Sequence, residues 1–410
     1  MYMTSTRERS MPNIGALFDP ANRPNPYPLF GELRAYGPFP LLDGAITVLG
    51  THERCTTILR DPTYSSDRSR TLLPRRSPLP NDERARQSFL SLDPPDHTRL
   101  RRLVAKAFTP RVIVALEPKI RALVAELFAA FAANGRFDVV GGLAYPLPVR
   151  IISELLGVPT ADHERFEVWS KLLVRGLDPA MAITDADEAA SIMAAQHELT
   201  EYFYRLIATR RATPGDDLLS TLIAIEEQGD QLTEPELVST CVLLLVAGHE
   251  TTANLIANGI LALLRHPDQL AALRANPALI AGTVEEVLRY DPPVQLTTRV
   301  VRRPTVFDDV TAPTDGVLLL LLAAANRDPA VFDDPDRFDI TRDAHQHLSF
   351  AAGAHFCLGA GLARLEASVA LSVFADRVVD PALDTDSLRY RPHVNLRGPE
   401  RMVVEFSRLR

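Results

Sequence analysis

Cysteine is scarce in this chain: there are three in 410 residues, Cys55, Cys241 and Cys357, far apart. So few thiols at such spacing exclude a disulfide framework and suit a reducing compartment. Long apolar runs are lacking too. The longest, Val317 to Ala325, falls well short of the ~20 residues that cross a bilayer as a helix. The segment Met1 to Met11 is polar, with charges of both signs and no apolar stretch, so it does not read as a secretion signal. Base is outnumbered by acid. Lys and Arg total 44 against 52 Asp and Glu, a formal net charge of −8, which argues against general nucleic-acid binding. Internal repeats and low-complexity tracts are absent. The expectation is a cytoplasmic protein with no membrane anchor and no nucleic-acid partner.

What the chain does have is core. Hydrophobic residues make up 46% of it. Length alone suggests two or three domains at about 150 residues each, but no linker separates two cores, so residues 1 to 410 are expected to form one large unit. Residues 12 to 40 are rich in proline and read as an ordered but mostly irregular opening. Residues 45 to 50 read as a strand, and 62 to 92 as a long loop. From about 96 to 280 the pattern is helical, punctuated by Gly and Pro. Short strands are expected near 296–301, 304–310 and 316–321, with a hairpin in the last 25 residues. The fold class is therefore mainly α with small β-sheets.

Chemistry concentrates in Phe350-Ala351-Ala352-Gly353-Ala354-His355-Phe356-Cys357-Leu358-Gly359. One cysteine sits in a short loop just before a long alanine-rich helical stretch. Backbone N–H groups and the dipole at a helix N-terminus favour a thiolate there, and a thiolate axial ligand pushes electron density onto a haem iron. An alternative uses the same segment: His345, His347, His355 and Cys357 are four nitrogen and sulfur ligands that could hold a structural zinc. Their spacing matches no common zinc pattern.

A second feature lies about 100 residues earlier. Leu237 to Arg265 is a helical run apolar on all sides, as a buried helix is. Its centre nevertheless holds Gly248, which costs about 1 kcal/mol relative to alanine, followed by His249, Glu250, Thr251 and Thr252. A Thr251 hydroxyl bonded back to the Ala247 carbonyl would bend the helix and open a groove. His249 and His266 read as ordinary core or solvent-edge histidines, and Cys55 and Cys241 as small packing residues. Two spaced pairs complete the set. Glu286 and Arg289 share a helix face, and so do His97 and Arg101, in a helix that also carries Arg99, Arg102, Lys106 and, just beyond it, Arg111.

Taken in order, these motifs resemble the cytochrome P-450 family: His97-x-x-x-Arg101, Ala247-Gly248-His249-Glu250-Thr251-Thr252, Glu286-x-x-Arg289, Ala325-Asn326-Arg327-Asp328-Pro329, Asp334-Pro335-Asp336-Arg337-Phe338, then the cysteine loop. One position departs, because Ala351 stands where the family has glycine. Without a membrane anchor the chain is similar to the soluble bacterial members. The resemblance implies the cytochrome P-450 fold and haem b (iron protoporphyrin IX) ligated by Cys357. Phe350 would shield the sulfur, and Gly353 and Gly359 would join it in binding the cofactor. His97, Arg101, Arg299 and His355 would hold the propionates. Thr251 would donate a hydrogen bond in oxygen activation, and Glu250 would relay protons. Glu286, Arg289 and Arg337 would form a structural triad. The substrate, a medium-to-large apolar molecule, would meet Leu244, Ala247, Gly248, Val294, Gln295, Leu296, Asn395 and Leu396, with parts of 62–92 and 166–190. Electrons would come from NAD(P)H through ferredoxin reductase and ferredoxin, docking on the basic face around Arg102 and Lys106 of a monomer. A peroxide-driven enzyme and a non-enzymatic haem or ligand-binding protein of the same fold are the alternatives.

Overall fold

The computed structural model describes residues 11–73, 88–131, 135–175, 186–227 and 232–410. The proline-rich opening is less irregular than its composition predicts. After short 3-10 turns, α1 (Tyr27–Tyr36) forms with Pro26 and Pro28 at its start, where a missing N–H costs nothing. Gly37, at φ 96°, ends it. Next come β1 (Phe39–Leu41), β2 (Ile46–Leu49) and α2 (His52–Arg60). Of the expected loop at 62–92, residues 74–87 lie outside the described residues.

The helical middle follows as α3 (Asp96–Ala105), α4 (Pro110–Ala115) and α5 (Glu117–Ala129). A strand interrupts it, β3 (Arg136–Asp138), which the helical pattern does not anticipate. Gly135, in the left-handed region at φ 61°, makes the turn into it. Then come α6 (Pro146–Leu155), α7 (His163–Arg175), α8 (Ala186–Ala212), α9 (Leu218–Glu227), α10 (Glu234–Arg265), α11 (Pro267–Ala275) and α12 (Ile280–Tyr290). The strands β4 (Thr297–Val300) and β7 (Val317–Leu320) match expected positions, while the single strand expected at 304–310 is a hairpin, β5 (Thr305–Phe307) with β6 (Val310–Ala312); α13 (Leu322–Ala325) and α14 (Ala360–Arg377) follow. The end of the chain holds β8 (Val378–Val379), β9 (Ala382–Leu383), β10 (Arg389–Tyr390), β11 (Pro399–Arg401), β12 (Val403–Glu405) and β13 (Arg408–Leu409). The expected terminal hairpin is β10 with β11. β12 leaves it to pair with β3 and β9.

The largest sheet has the order β1-β2-β7-β4. β2 and β7 run parallel, and the outer pairs are antiparallel. Parallel neighbours need a long crossover, and the whole helical middle supplies it.

The helix α10 organises the rest. Thr233 caps it, with Glu236 completing a reciprocal capping box and Pro235 in the first turn; such a cap contributes about 1 kcal/mol. Its first half packs Cys241, Leu244 and Leu245 among Leu100, Trp169, Phe203 and Ile207. Its second half packs Ile256, Ala257 and Ile260 among Val287, Leu371 and Phe374. Each fully buried leucine or isoleucine contributes roughly 1.5–3 kcal/mol, so two cores are joined through one rod. By length and composition α10 could cross a membrane, but most of it is buried inside the protein. The middle of α10 and the N-terminus of α14 then place the Gly248 groove and the cysteine loop on neighbouring helices, which pack against each other.

Candidate functional site

The cysteine loop is a tight structure built on two left-handed residues. Gly353 sits at φ 69°, and a Cβ there would come within 2.4 Å of the Leu59 carbonyl and 2.9 Å of Arg60 Cα. Glycine is required by both the turn and the approach of α2. Ala351 is also left-handed, at φ 57°, which an L-residue adopts at a cost of about 1 kcal/mol or more. The loop closes on itself, with Cys357 N–H donating to the Phe350 carbonyl at 2.9 Å.

Cys357 is exposed. Crowding by protein atoms around its sulfur pushes the thiol up. The Gly359 and Ala360 N–H groups and the guanidiniums of Arg101 and Arg364 pull it the other way. Gly359 is the residue before α14, so the sulfur lies where the first turn's free N–H groups point. Phe350 is buried, and the Arg364 guanidinium lies 4.6 Å from its ring centre. Arg364 in turn pairs with Glu285 at 2.6 Å. Against burial, which raises it, hydrogen bonds from Arg364 and His347 bring Glu285 down to about 2. His347 is thus engaged 3.2 Å from Glu285. Among the described residues no His, Cys, Asp and Glu group able to hold a metal ion forms, so the zinc alternative fails on geometry.

Beside the loop, four cationic or ionisable groups converge. The His97 and His355 rings lie 4.0 Å apart. Arg101 donates to the Phe356 carbonyl. Arg299, from β4, is buried. Both ring nitrogens of His97 are buried without a hydrogen-bond partner. Burial first, then the Arg101 charge, lowers His97 below the ordinary imidazole value. Burial, then His97, Arg299 and Arg101, pushes His355 down to about 3, and burial with Arg68 nearby lowers Arg299 to about 10. The carboxylate acting on them, Asp93, is already taken by Arg302 at 2.9 Å and the Ser66 N–H at 2.8 Å. Buried donors crowded together with their own repulsion unrelieved are suited to an anionic group with two carboxylates.

On α10, Thr251 Oγ1 donates back to the Ala247 carbonyl at 2.8 Å, and Thr252 Oγ1 to the Gly248 carbonyl at 3.0 Å. Ala247 is exposed and Gly248 and Thr251 partly so, although the helix on both sides is buried. A Cβ on Gly248 would meet only Ile152, at 3.6 Å. Glu250 is fully buried, with Oε1 2.6 Å from Arg391 Nη1. Arg391 is a residue that sequence reasoning missed. It follows β10 with no motif around it, and only folding brings it to α10.

The expected triad needs a correction. Glu286 and Arg289 are fully buried and bidentate, at 2.7 and 2.8 Å. Arg337 does not reach them. Its side chain is largely exposed, 3.8 Å from Asp339, and only its carbonyl accepts from Arg289 Nη2, at 3.0 Å. The third guanidinium is Arg342, with Nε 3.5 Å from Glu286 Oε1. The turn through 334–339 presents carbonyls inward and the Arg337 side chain outward.

The expected substrate residues divide. Leu244, Leu396 and Val294 meet in one apolar cluster, with Val294 and Leu396 bridged as a strand pair. Leu296 instead packs with Phe30, Phe39 and Val48 beneath α1. Gln295 is buried, its side-chain amide donating to the Pro292 carbonyl at 2.6 Å and its backbone N–H donating to the Asn395 carbonyl at 2.8 Å. It is held as part of the scaffold. Residues 176–185 of the expected pocket lie outside the described residues.

Comparison with known proteins agrees with this arrangement. The family model described as Cytochrome P450 matches residues 36–374. Cytochrome P450 monooxygenase PikC of Streptomyces venezuelae is 44% identical, over 94% of this chain and 92% of that protein. Vitamin D(3) 25-hydroxylase of Pseudonocardia autotrophica is 42% identical, over 93% of each. The crystal structure of ligand-free Mycobacterium smegmatis CYP164A2 superposes with a TM-score of 0.88 at 47% identity, covering 95% of this chain and 98% of that one. With 36–374 matched and such relatives aligned nearly end to end, this chain belongs to the cytochrome P450 family, oxidoreductases that incorporate molecular oxygen.

Proposed function

We propose that this protein is a haem-thiolate monooxygenase that inserts one oxygen atom into a medium-to-large apolar organic substrate and receives its electrons from NAD(P)H through a ferredoxin reductase and a ferredoxin. The observation that carries the site is the juxtaposition of an exposed Cys357, at a helix N-terminus, with the imidazoles of His97 and His355 and the guanidiniums of Arg101 and Arg299, beside which the carboxylate of Asp93 is already paired. Haem b, when bound, supplies the redox centre at which dioxygen is cleaved, and thiolate ligation favours that cleavage.

The chain's own residues then have these roles. Cys357 binds iron as the thiolate, held by the N–H groups of Gly359 and Ala360 and by the nearby Arg101 and Arg364. Phe350 keeps water from the sulfur, which tunes such a centre. Gly353 lets the loop pass under α2. His97, Arg101, Arg299 and His355 take the two propionates. Thr251, already oriented by the Ala247 carbonyl, presents its hydroxyl to the groove, and Glu250 relays protons to it from solvent. Leu244, Val294 and Leu396, which pack together, give the substrate an apolar wall, with Ala247, Gly248 and Asn395 offered beside it. A relative named for 25-hydroxylation of vitamin D(3) supports a large apolar substrate. Arg102 and Lys106 are exposed on the outer face of α3, opposite His97, and offer an acidic ferredoxin its docking charge. We read the whole chain as one catalytic unit, working as a cytoplasmic monomer.

The test is the reduced protein with carbon monoxide. Wild type should show the thiolate-type Soret band, and Cys357→Ser should not. Wild-type protein that never shows that band would overturn the reading.

A further inference from the structure

One buried group on α10 has no part in the scheme above. His249 is fully buried. Its Nδ1 lies 2.7 Å from Ser170 Oγ on α7 and 3.3 Å from the Leu245 carbonyl. Its Nε2 lies 3.5 Å from Glu250 Oε2, an electrostatic contact rather than a formed hydrogen bond. The Tyr145 ring stands edge-on, with centroids 5.0 Å apart and planes at 84°. Sequence position alone marks His249 as an ordinary core residue, but its two nitrogens face two different helices' chemistry.

The tautomer follows from these partners. The Leu245 carbonyl already accepts the His249 backbone N–H within the helix. If Nδ1 carried the proton, the Nε2 lone pair would face the Glu250 carboxylate and be repelled. With the proton on Nε2, Nδ1 accepts from the Ser170 hydroxyl and the N–H points at Glu250. Burial keeps the ring from taking a second proton: it lowers His249 despite the opposing Glu250 charge and the Leu245 carbonyl near Nδ1, while Arg391 adds to the lowering and Glu167 opposes it. Glu250 is therefore bounded on two sides: Arg391 pairs with Oε1 at 2.6 Å, and His249 Nε2 stands 3.5 Å from Oε2.

We propose that His249 is a positioning residue for proton delivery: it aims the Glu250 carboxylate only while Ser170 donates to it, so that Glu250 is set by the seating of α7 on α10. This rests on Glu250 serving the Thr251 groove as described above. If α7 lifts, Nδ1 loses its donor. The ring can then move its proton to Nδ1 and bond Leu245, and Arg391 alone holds the carboxylate. Because α7 packs on both α8 and α10, Glu250 senses whether α7 is seated.

The experiment has two arms. Nitrogen-15 NMR of histidine-labelled protein should find His249 neutral and protonated on Nε2, and Ser170→Ala should move the proton towards Nδ1. This arm needs no haem, so it stands apart from the cofactor reading. In the second arm, the C–O stretching band of the reduced carbon monoxide complex reports the field over the groove. Ser170→Ala and His249→Phe should shift or split that band. His249→Gln, which keeps a donor and an acceptor, should restore it. In a Glu250→Gln background, His249→Phe should add nothing. A wild-type Nδ1–H tautomer overturns the proposal, as does a His249→Phe shift that persists undiminished with Glu250→Gln, or no shift at all. A protein without the thiolate-type band would overturn the monooxygenase reading instead.

Discussion

Ala351 and Gly353 are both left-handed, two residues apart, and only one of them is glycine. The first carries the cost of a left-handed backbone that glycine does not, so Ala351→Gly should stabilise the protein by about 1 kcal/mol, read as a higher denaturant midpoint with unchanged slope. The second cannot change without displacing the Leu59 carbonyl, so Gly353→Ala should lower haem content sharply after purification. Thr251 is a different case, because its hydroxyl already has a backbone acceptor and its loss leaves no buried orphan. Thr251→Ala should keep haem and fold, and release hydrogen peroxide at the expense of product. Measuring peroxide and product per NAD(P)H consumed decides it. Unchanged coupling would remove the hydroxyl from the mechanism.

On α12, Glu286 and Arg289 illustrate what a spacing can and cannot tell. Three-residue separation puts both on one face, but a solvated pair and a fully buried one look alike in sequence. Burial makes the difference large. Glu286→Ala should cost about 3–5 kcal/mol and abolish haem incorporation, whereas Arg337→Ala, whose guanidinium is exposed, should stay within about 0.5 kcal/mol. Chemical denaturation of both variants tests the contrast. On α14, Glu366 is buried, and burial alone raises it to about 8. A carboxyl raised in the folded state contributes stability that is whole below its unfolded value, 4.5, and is lost as pH rises through the folded one. Stability should therefore fall between about pH 4.5 and 8, by a few kcal/mol at about 1.4 kcal/mol per pKa unit. Glu366→Gln should flatten that slope in urea titrations across the range.

Across the whole molecule, α10 carries the design. Its first half belongs to one core and its second half to another, so the groove at Gly248 lies where two packed bodies meet. Charge is divided in the same manner. The chain is acidic overall, at −8, yet the outer face of α3 presents Arg102 and Lys106 while His97 and Arg101 point inward from the same helix. Reversing both outer charges, Arg102→Glu with Lys106→Glu, should slow ferredoxin-driven reduction about tenfold or more at low salt, with the difference shrinking as salt screens it. Reduction by dithionite should be unchanged.

The sequence by itself determined the cysteine loop, the helix with polar residues at its centre, the Glu286–Arg289 and His97–Arg101 spacings, and the helical class with small sheets. These are local: the residue types and spacings that carry them are set within one element. Tertiary structure alone decided that Arg342 rather than Arg337 completes the Glu286 pair and that Leu296 turns away from the apolar wall. It also decided that β3 interrupts the helices, and that Arg391 and Ser170 reach Glu250 and His249. Each of those depends on which side of a turn faces inward, or on contacts between residues far apart in the chain. Neither is encoded in any window short enough to show a period.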